Sequence, residues 1–157
     1  MTLPDLFLFT GDWQCYEDKL YQIYLDEIIN AGLSFKGLPI RYRYRPQSKN
    51  KHFSFWHLIS EGRTETDRTP DLRRCERIRW ITYLISQTGI DTDITWWENQ
   101  RGGNTHTVIW HETANFAVIL AKRSNYYLLT TAYNVELPKR RKAFIEERDN
   151  FWKARKS

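Results

Sequence analysis

The order of apolar and polar residues divides the chain into a helical first half and a second half of strands. Apolar residues recur at helical spacing across residues 15–31, and Gly32 then supplies a residue that commonly ends helices. We therefore predict a first helix over this range. Across residues 38–46, apolar and basic residues alternate strictly, and this period of two predicts a strand closed by Pro46.

A second helix is predicted after residues 47–68, which are polar and irregular apart from an aromatic run. Thr69 is a favourable N-cap and Pro70 suits the first helical position, while Asp71 adds a negative charge to the first turn. An apolar stripe at helical spacing follows these signals and extends to Gly89. Together they indicate one continuous helix.

From residue 92 onward the apolar pattern changes to a period of two. It predicts four strands, over residues 92–99, 105–113, 116–123 and 126–135. The short connections between them favour hairpins and hence an antiparallel meander. Pro138 then opens a charged helix that reaches about residue 153. We predict a single α+β domain over residues 1–157, with N-terminal helices, one strand, a four-stranded antiparallel meander sheet and a C-terminal helix.

Composition agrees with a folded domain and adds a preference for anionic partners. Of the 157 residues, 41% are apolar and 15% aromatic, which excludes wholesale disorder. The net charge is +5, and positive charge is concentrated at residues 41–45, 73–79 and 139–142. Such clusters favour a polyanion such as RNA. A basic, solvated surface without a ligand is the alternative.

Several functional classes lose support from missing sequence features. The chain has no glycine-rich phosphate loop, no G-x-S-x-G elbow and no paired-cysteine zinc motif. No apolar run is long enough to cross a bilayer, so we expect no membrane partner. Cys15 and Cys75 lie far apart, and no basic leader precedes the first apolar residues. We therefore expect reduced thiols and a cytoplasmic location.

Three arginines of the first predicted strand form a candidate nucleic-acid surface. Arg41, Arg43 and Arg45 alternate with apolar positions and would share one face. Residues two apart on a strand are separated by about 7 Å, which is close to the phosphate spacing of an extended single strand. The alternative is an edge strand that charge protects from aggregation.

The four histidines are candidates for proton transfer. His52 and His57 are five residues apart, as are His106 and His111, and this spacing does not align side chains for a metal. We therefore expect no metal. His57 is favoured as the proton-transfer group because it lies in an aromatic, loop-like segment followed by Glu61 and several arginines. His111 is the second choice, and a buried structural imidazole is the alternative for each.

The second predicted helix carries a group of arginines beside its apolar stripe. Arg73, Arg74 and Arg77 lie off the stripe and near one another. Guanidinium groups suit phosphate and the extra charge of a phosphorane transition state, so these residues are candidate phosphate ligands. Ordinary surface ion pairs with Glu76 are the alternative.

The last predicted strand combines hydroxyl and phenol groups. By alternation, Tyr127, Thr131 and Tyr133 would share one face, and a two-residue turn would pair Lys122 with Tyr127. That face would bind phosphate and stack a base. Ordinary strand-forming residues over a core are the alternative, and a shift of register would expose Thr130 instead.

The order of these parts resembles the barnase–EndoU–colicin–RelE-like (BECR) nucleases, particularly their phage-associated branch. The match rests on residues 51–58, 68–80 and 127–133, and the arrangement covers roughly residues 40–137. The resemblance implies a metal-independent endoribonuclease that needs no cofactor. It also implies a toxin or phage-conflict effector paired with an inhibitor protein.

The resemblance further implies a role for each candidate catalytic residue. His57 would be the general base or acid, and Arg77 would stabilise the phosphorane. Thr131 would hold a phosphate oxygen, and Tyr133 would orient the ribose or base. The attacking group would be a ribose 2′-hydroxyl.

Two other functions are compatible with the sequence. A non-catalytic, single-stranded RNA-binding domain would use Arg41, Arg43 and Arg45 with exposed aromatic residues. A protein-interaction module would place the many aromatic residues in an interface. Cleavage of RNA distinguishes the first hypothesis from both alternatives.

Overall fold

The computed structural model describes residues 2–62 and 68–156, which form five α-helices, one 3-10 turn and eight strands. The helices are α1 (Trp13–Glu27), α2 (Phe53–Ile59), α3 (Leu72–Glu76), α4 (Ile78–Gln87) and α5 (Pro138–Lys156). The strands are β1 (Ser34–Phe35), β2 (Leu38–Arg41), β3 (Ser60–Glu61), β4 (Thr69–Pro70), β5 (Ile94–Arg101), β6 (Asn104–His111), β7 (Phe116–Lys122) and β8 (Tyr127–Asn134). None of the described helices is long and apolar enough to span a membrane.

The main sheet has six strands in the order β1-β2-β8-β7-β6-β5. Strands β5 to β8 pair antiparallel in sequence order, whereas β2 runs parallel to β8. The predicted α+β class is therefore confirmed. The predicted meander is only part of a larger mixed sheet, because β1 and β2 form an additional hairpin around Gly37.

Helices cover both faces of this sheet. On the main face, α4 lies on β6 and β7 and α1 packs against α4, so buried side chains of both helices share one core with Ile109, Val118 and Leu120. On the second face, Phe144 of α5 packs against Trp97 and Trp110, with ring centroids 5.2 and 5.6 Å away. This second face continues beyond α5 into an open, polar region.

The hydrophobic anchor of α5 provides a test of this packing. Phe144 is fully buried, and its truncation to alanine would leave a cavity between two tryptophans. We expect Phe144→Ala to lower the free energy of unfolding by about 3–5 kcal/mol in urea denaturation. The exposed neighbour Lys142 is the control, since Lys142→Ala should change it by less than about 0.5 kcal/mol. Equal stability of the two variants would contradict this packing.

A β-bulge in β8 decides which of its side chains share a face. Ile119 pairs with Thr131 and Leu120 pairs with Leu129, so Thr130 is an extra residue. Tyr127 consequently packs into the main core, whereas Tyr133 packs on the opposite face.

The bulge makes one sequence prediction wrong, because Tyr127 does not share a face with Thr131 and Tyr133. Lys122 does pair with Tyr127 as predicted. It therefore lies on the main-core side of the sheet, where its ammonium group binds Glu98 at 2.9 Å.

The second predicted helix begins later than expected and is interrupted. Thr69 and Pro70 form β4, and Asp71 is the N-cap, accepting a hydrogen bond from the Arg73 N–H at 2.9 Å. The helix is broken at Arg77, whose φ of −103° and ψ of 17° are not helical. Residues 72–87 therefore form two helices, α3 and α4, rather than one.

The segment from residue 38 to residue 68 also differs from its prediction. Strand β2 ends at Arg41, so Arg43 and Arg45 are not part of a strand. Residues 53–59 form α2 rather than a loop, because Phe55, Leu58 and Ile59 present a buried face at helical spacing. His57 is therefore a helical residue. The predicted irregular stretch also includes residues 63–67, which lie outside the described residues.

Candidate functional site

An open cleft of about 580 Å³ lies where α2, α3 and the start of α5 meet the second face of the sheet. Its polar lining includes His57, Glu61, Arg68, Arg74, Arg101, Thr130, Thr131, Tyr133, Asn134, Glu136 and Arg140. Of the four predicted catalytic residues, His57, Thr131 and Tyr133 are brought together here. The sequence left open whether Thr130 or Thr131 faces the site, and both residues line the cleft.

His57 is held at the cleft by its position on α2 and by a ring contact. Its imidazole stacks on Phe53 with ring centroids 4.1 Å apart and an interplanar angle of 25°. The Arg43 guanidinium lies 4.1 Å from the same phenyl ring. The half-buried His57 thus keeps access to the cleft while its ring orientation is constrained.

Thr131 connects α2 to the sheet. Its hydroxyl donates a hydrogen bond to the His57 carbonyl at 3.2 Å, and this carbonyl belongs to the last turn of α2. Carbonyls in a last turn have no partner within their helix, so Thr131 supplies the missing donor. The same hydroxyl lies 3.5 Å from Nη1 of Arg74. Thr131 therefore positions both His57 and Arg74.

Removal of this hydroxyl tests the positioning role of Thr131. Thr131→Val keeps the shape of the side chain but leaves the His57 carbonyl without this donor. We expect it to lower the free energy of unfolding by about 1 kcal/mol in urea denaturation. Thr131→Ser keeps the donor and should remain close to wild type. Equal destabilisation by both variants would exclude the hydrogen bond as the cause.

Arg74 is the arginine of the second predicted helix that reaches the cleft. Its Nη1 donates to the Ser60 carbonyl at 2.7 Å, and its guanidinium lies 5.8 Å from the Tyr133 ring. Nη2 of Arg68 donates to the same carbonyl at 2.6 Å. Two guanidinium groups thus converge on one backbone oxygen at the edge of the cleft.

Two further arginines of the lining were not predicted as site residues, although Arg140 belongs to the basic cluster at residues 139–142. Arg101 ends β5, and Arg140 lies in the first turn of α5. Alternation along β5 would have placed Arg101 on the face of Trp97. Together with Arg68 and Arg74 they give four arginines against two glutamates among the described lining residues, so this part of the lining has a net positive charge.

Tyr133 lies among these charges. Burial raises the pKa of its phenol, and the positive charges of Arg140 and Arg101 oppose this increase. The hydroxyl therefore remains protonated near neutral pH and can donate a hydrogen bond. This property suits the predicted contact with a ribose or a base.

A smaller polar pocket adjoins the cleft and contains His106. This pocket of about 180 Å³ shares Arg101, Thr131 and Tyr133 with the cleft. Nδ1 of His106 is buried and has no hydrogen-bond partner in the described part of the chain. Burial, followed by the charges of Arg101 and Arg123, lowers the pKa of His106. Its imidazole is therefore neutral near pH 7.

Arg77 is not brought into the cleft, contrary to the prediction. Its guanidinium lies 5.0 Å from the Trp80 ring and donates to the Arg73 carbonyl at 3.1 Å. Arg73 itself is exposed and pairs with Glu136 at 2.6 Å. The break between α3 and α4 separates Arg77 from Arg74, so the predicted group of three does not form one site.

The described cleft lining also does not include four other predicted nucleic-acid ligands, Arg41, Arg43, Arg45 and Lys122. The guanidinium of Arg41 lies 4.9 Å from the Tyr126 ring. Arg43 donates through Nε to the Arg45 carbonyl at 2.9 Å. Because β2 ends at Arg41, the expected row of three arginines on a strand is wrong, although all three side chains are exposed. The ammonium group of Lys122 forms an ion pair with Glu98.

The other two histidines have structural surroundings. Nδ1 of His52 lies 3.0 Å from the Tyr24 hydroxyl, and burial lowers the His52 pKa. The buried His111 accepts the Ala114 N–H at Nδ1, 3.0 Å away. This second choice for proton transfer is not among the cleft residues.

His111 also belongs to a cluster with Asp91 and Asp93, whose donor atoms lie within 4.8 Å of one another. Because Nδ1 accepts a hydrogen bond, Nε2 of the neutral imidazole carries the proton and has no lone pair for a metal. The Tyr83 hydroxyl also donates to Asp91 Oδ2 at 2.6 Å. This cluster is better suited to internal hydrogen bonding than to metal binding.

Comparison with models of protein families, with curated proteins and with solved structures found no match for this chain. The chemistry of the cleft is therefore the basis on which a function can be assigned.

Proposed function

We propose that the protein is a metal-independent endoribonuclease that cleaves RNA by attack of the 2′-hydroxyl on the adjacent phosphate. One observation carries the proposal: among the described residues, His57, His106 and four arginines line a single open cleft and its adjoining pocket. Proton transfer and stabilisation of phosphate charge are the two requirements of this reaction. The BECR resemblance of the sequence points to the same chemistry.

Two histidines provide the proton transfers in this proposal. His106, whose lowered pKa keeps it neutral, accepts the proton of the 2′-hydroxyl. The 2′-oxygen then forms a bond to phosphorus, and the bond from phosphorus to the 5′-oxygen breaks. His57 in its protonated form donates a proton to this leaving oxygen. The products are a 2′,3′-cyclic phosphate and a 5′-hydroxyl.

The arginines and Tyr133 act on the phosphate and its ribose. Arg74 takes the role that the resemblance implied for Arg77, because its guanidinium lies at the cleft beside Thr131. Arg68, Arg101 and Arg140 add positive charge for the flanking phosphates. Tyr133 donates a hydrogen bond to the ribose or the base.

The charge of the described lining supports the metal-independent form of the proposal. Two glutamates face four arginines among the described lining residues, so a divalent cation would be repelled while a phosphate would be attracted. The roles of toxin or phage-conflict effector, and the paired inhibitor protein, stay predictions that rest on the resemblance.

Incubation of the purified protein with single-stranded RNA in EDTA tests the proposal. We expect cleavage, products with 2′,3′-cyclic phosphate ends, and no cleavage where the scissile nucleotide lacks its 2′-hydroxyl. RNA that is bound but intact would instead identify an RNA-binding domain. RNA that is neither bound nor cleaved at low salt would favour a protein-interaction module.

A further inference from the structure

A second pocket of about 280 Å³ lies between α1, α2 and the loop that connects β2 to α2. Three aromatic side chains line it, namely Trp13, Phe53 and Trp56, and all three are half-buried. Aromatic faces in a groove are the usual surface on which unstacked bases bind. The pocket volume is just below the range of about 300–1,000 Å³ that holds drug-sized ligands, which suits a group as small as one base.

The walls of this pocket are fixed by hydrogen bonds. The Trp56 indole N–H donates to the Ser48 carbonyl at 2.9 Å. The Trp13 indole N–H donates to Oε1 of the buried Glu17 at 3.1 Å, and Lys51 neutralises Oε2 at 3.0 Å. The two indoles are therefore held in place before a ligand binds, which reduces the entropy cost of binding.

The aromatic pocket adjoins the cleft. Arg68 lines both of them. Phe53 lines the aromatic pocket and stacks on His57, which lines the cleft. A nucleic-acid chain that placed a phosphate beside His57 would thus have a neighbouring base within reach of the aromatic walls. Lys49 also lines this pocket, with its ammonium group 5.8 Å from the Trp56 ring, and supplies a positive charge there.

We propose that the aromatic pocket binds one unstacked nucleobase of the RNA whose phosphate occupies the cleft. This inference rests on the proposed function and names its substrate class as single-stranded RNA. A duplex cannot occupy both sites, because its bases remain stacked and paired. The contact is between ring faces, so it does not depend on which base is present.

Binding of an uncleavable RNA tests the inference without reliance on catalysis. The probe is a short single strand with one 2′-deoxy nucleotide at the scissile position, and an abasic nucleotide is introduced at each neighbouring position in turn. We expect one abasic position to weaken binding about 5- to 150-fold, the range for loss of one stacked base. A duplex of the same sequence should bind more weakly than the single strand.

The matched variant is Trp56→Ala. It should weaken binding of the intact strand by a similar factor, and the sensitive abasic position should then have no further effect. Trp56→Phe keeps a ring face and should restore most of the affinity. Tyr44→Ala removes an exposed aromatic outside both pockets and should bind like wild type.

The outcomes separate this inference from the proposed function. If every abasic strand binds wild-type protein as well as the intact strand does, the base pocket is excluded, whether or not RNA is cleaved. If one abasic position weakens binding but unmodified RNA stays intact, the base pocket holds and the nuclease proposal fails. The abasic comparison uses wild-type protein, so it remains decisive even if Trp56→Ala does not fold.

Discussion

Replacement of His57 by asparagine is expected to slow RNA cleavage about 10²- to 10⁴-fold, the usual contribution of a general acid–base group. The imidazole lines the cleft, and asparagine cannot donate or accept a proton near neutral pH. Its backbone carbonyl, which accepts the Thr131 hydroxyl, is unchanged by the substitution. Single-turnover cleavage at saturating RNA should therefore fall while the affinity for uncleavable RNA remains.

His52→Asn is the matched control for this experiment. His52 lies five residues earlier, immediately before α2, and is not among the described cleft residues. Its loss removes a contact with the Tyr24 hydroxyl, so a change in stability without a change in the catalytic step is expected. Full activity of His57→Asn would remove His57 from the mechanism. Equal losses in both variants would point to a folding effect.

Regular periodicity accounts for the parts of the fold that the sequence predicted. The apolar positions of α1 recur at helical spacing because one face is buried in the main core, and the alternation in β5 to β8 reflects two differently covered faces. Local patterns of this kind are encoded over a few residues. These patterns contain no information about which distant strand pairs with a given strand, so the parallel pairing of β2 with β8 was not predicted.

The prediction of which side chains share a face is wrong where one extra residue changes the geometry of a strand. An extra residue in β8, Thr130, moves Thr131 and Tyr133 to the face opposite Tyr127, and strict alternation cannot show this. Arg101 and Arg140 were missed for a different reason. They lie far apart in the chain, and only the folded sheet and the start of α5 bring them to one cleft.

His57 could be singled out from the sequence because aromatic residues and arginines surround it locally. Its proposed partner His106 could not, since it lies in a strand with ordinary alternation. The burial of its Nδ1, which has no hydrogen-bond partner among the residues that the structure describes, is a property of the tertiary structure alone. A sequence therefore indicates a candidate catalytic residue best when the supporting groups lie close by in the chain.

Arg74 and Arg77 provide the second large expected effect. They are of the same type, three residues apart and similarly buried, with 15% and 19% of their side chains exposed. Only Arg74 lines the cleft, because the break at Arg77 directs that residue towards Trp80. Arg74→Ala should therefore lower the cleavage rate about 10²- to 10³-fold, as for loss of one donor to transition-state charge. Arg77→Ala should cleave RNA almost like wild type.

The local structure indicates that a difference in cleavage between these two variants would reflect catalysis rather than a loss of folding. In Arg74→Ala the Ser60 carbonyl keeps its hydrogen bond from Arg68, so no buried acceptor loses its last donor. Each alanine variant also loses one guanidinium contact with an aromatic ring, Tyr133 for Arg74 and Trp80 for Arg77. Urea denaturation should show similar stabilities for the two proteins. A larger loss of cleavage in Arg77→Ala would mean that the phosphate binds on the side of α4, and the cleft would no longer be the site of reaction.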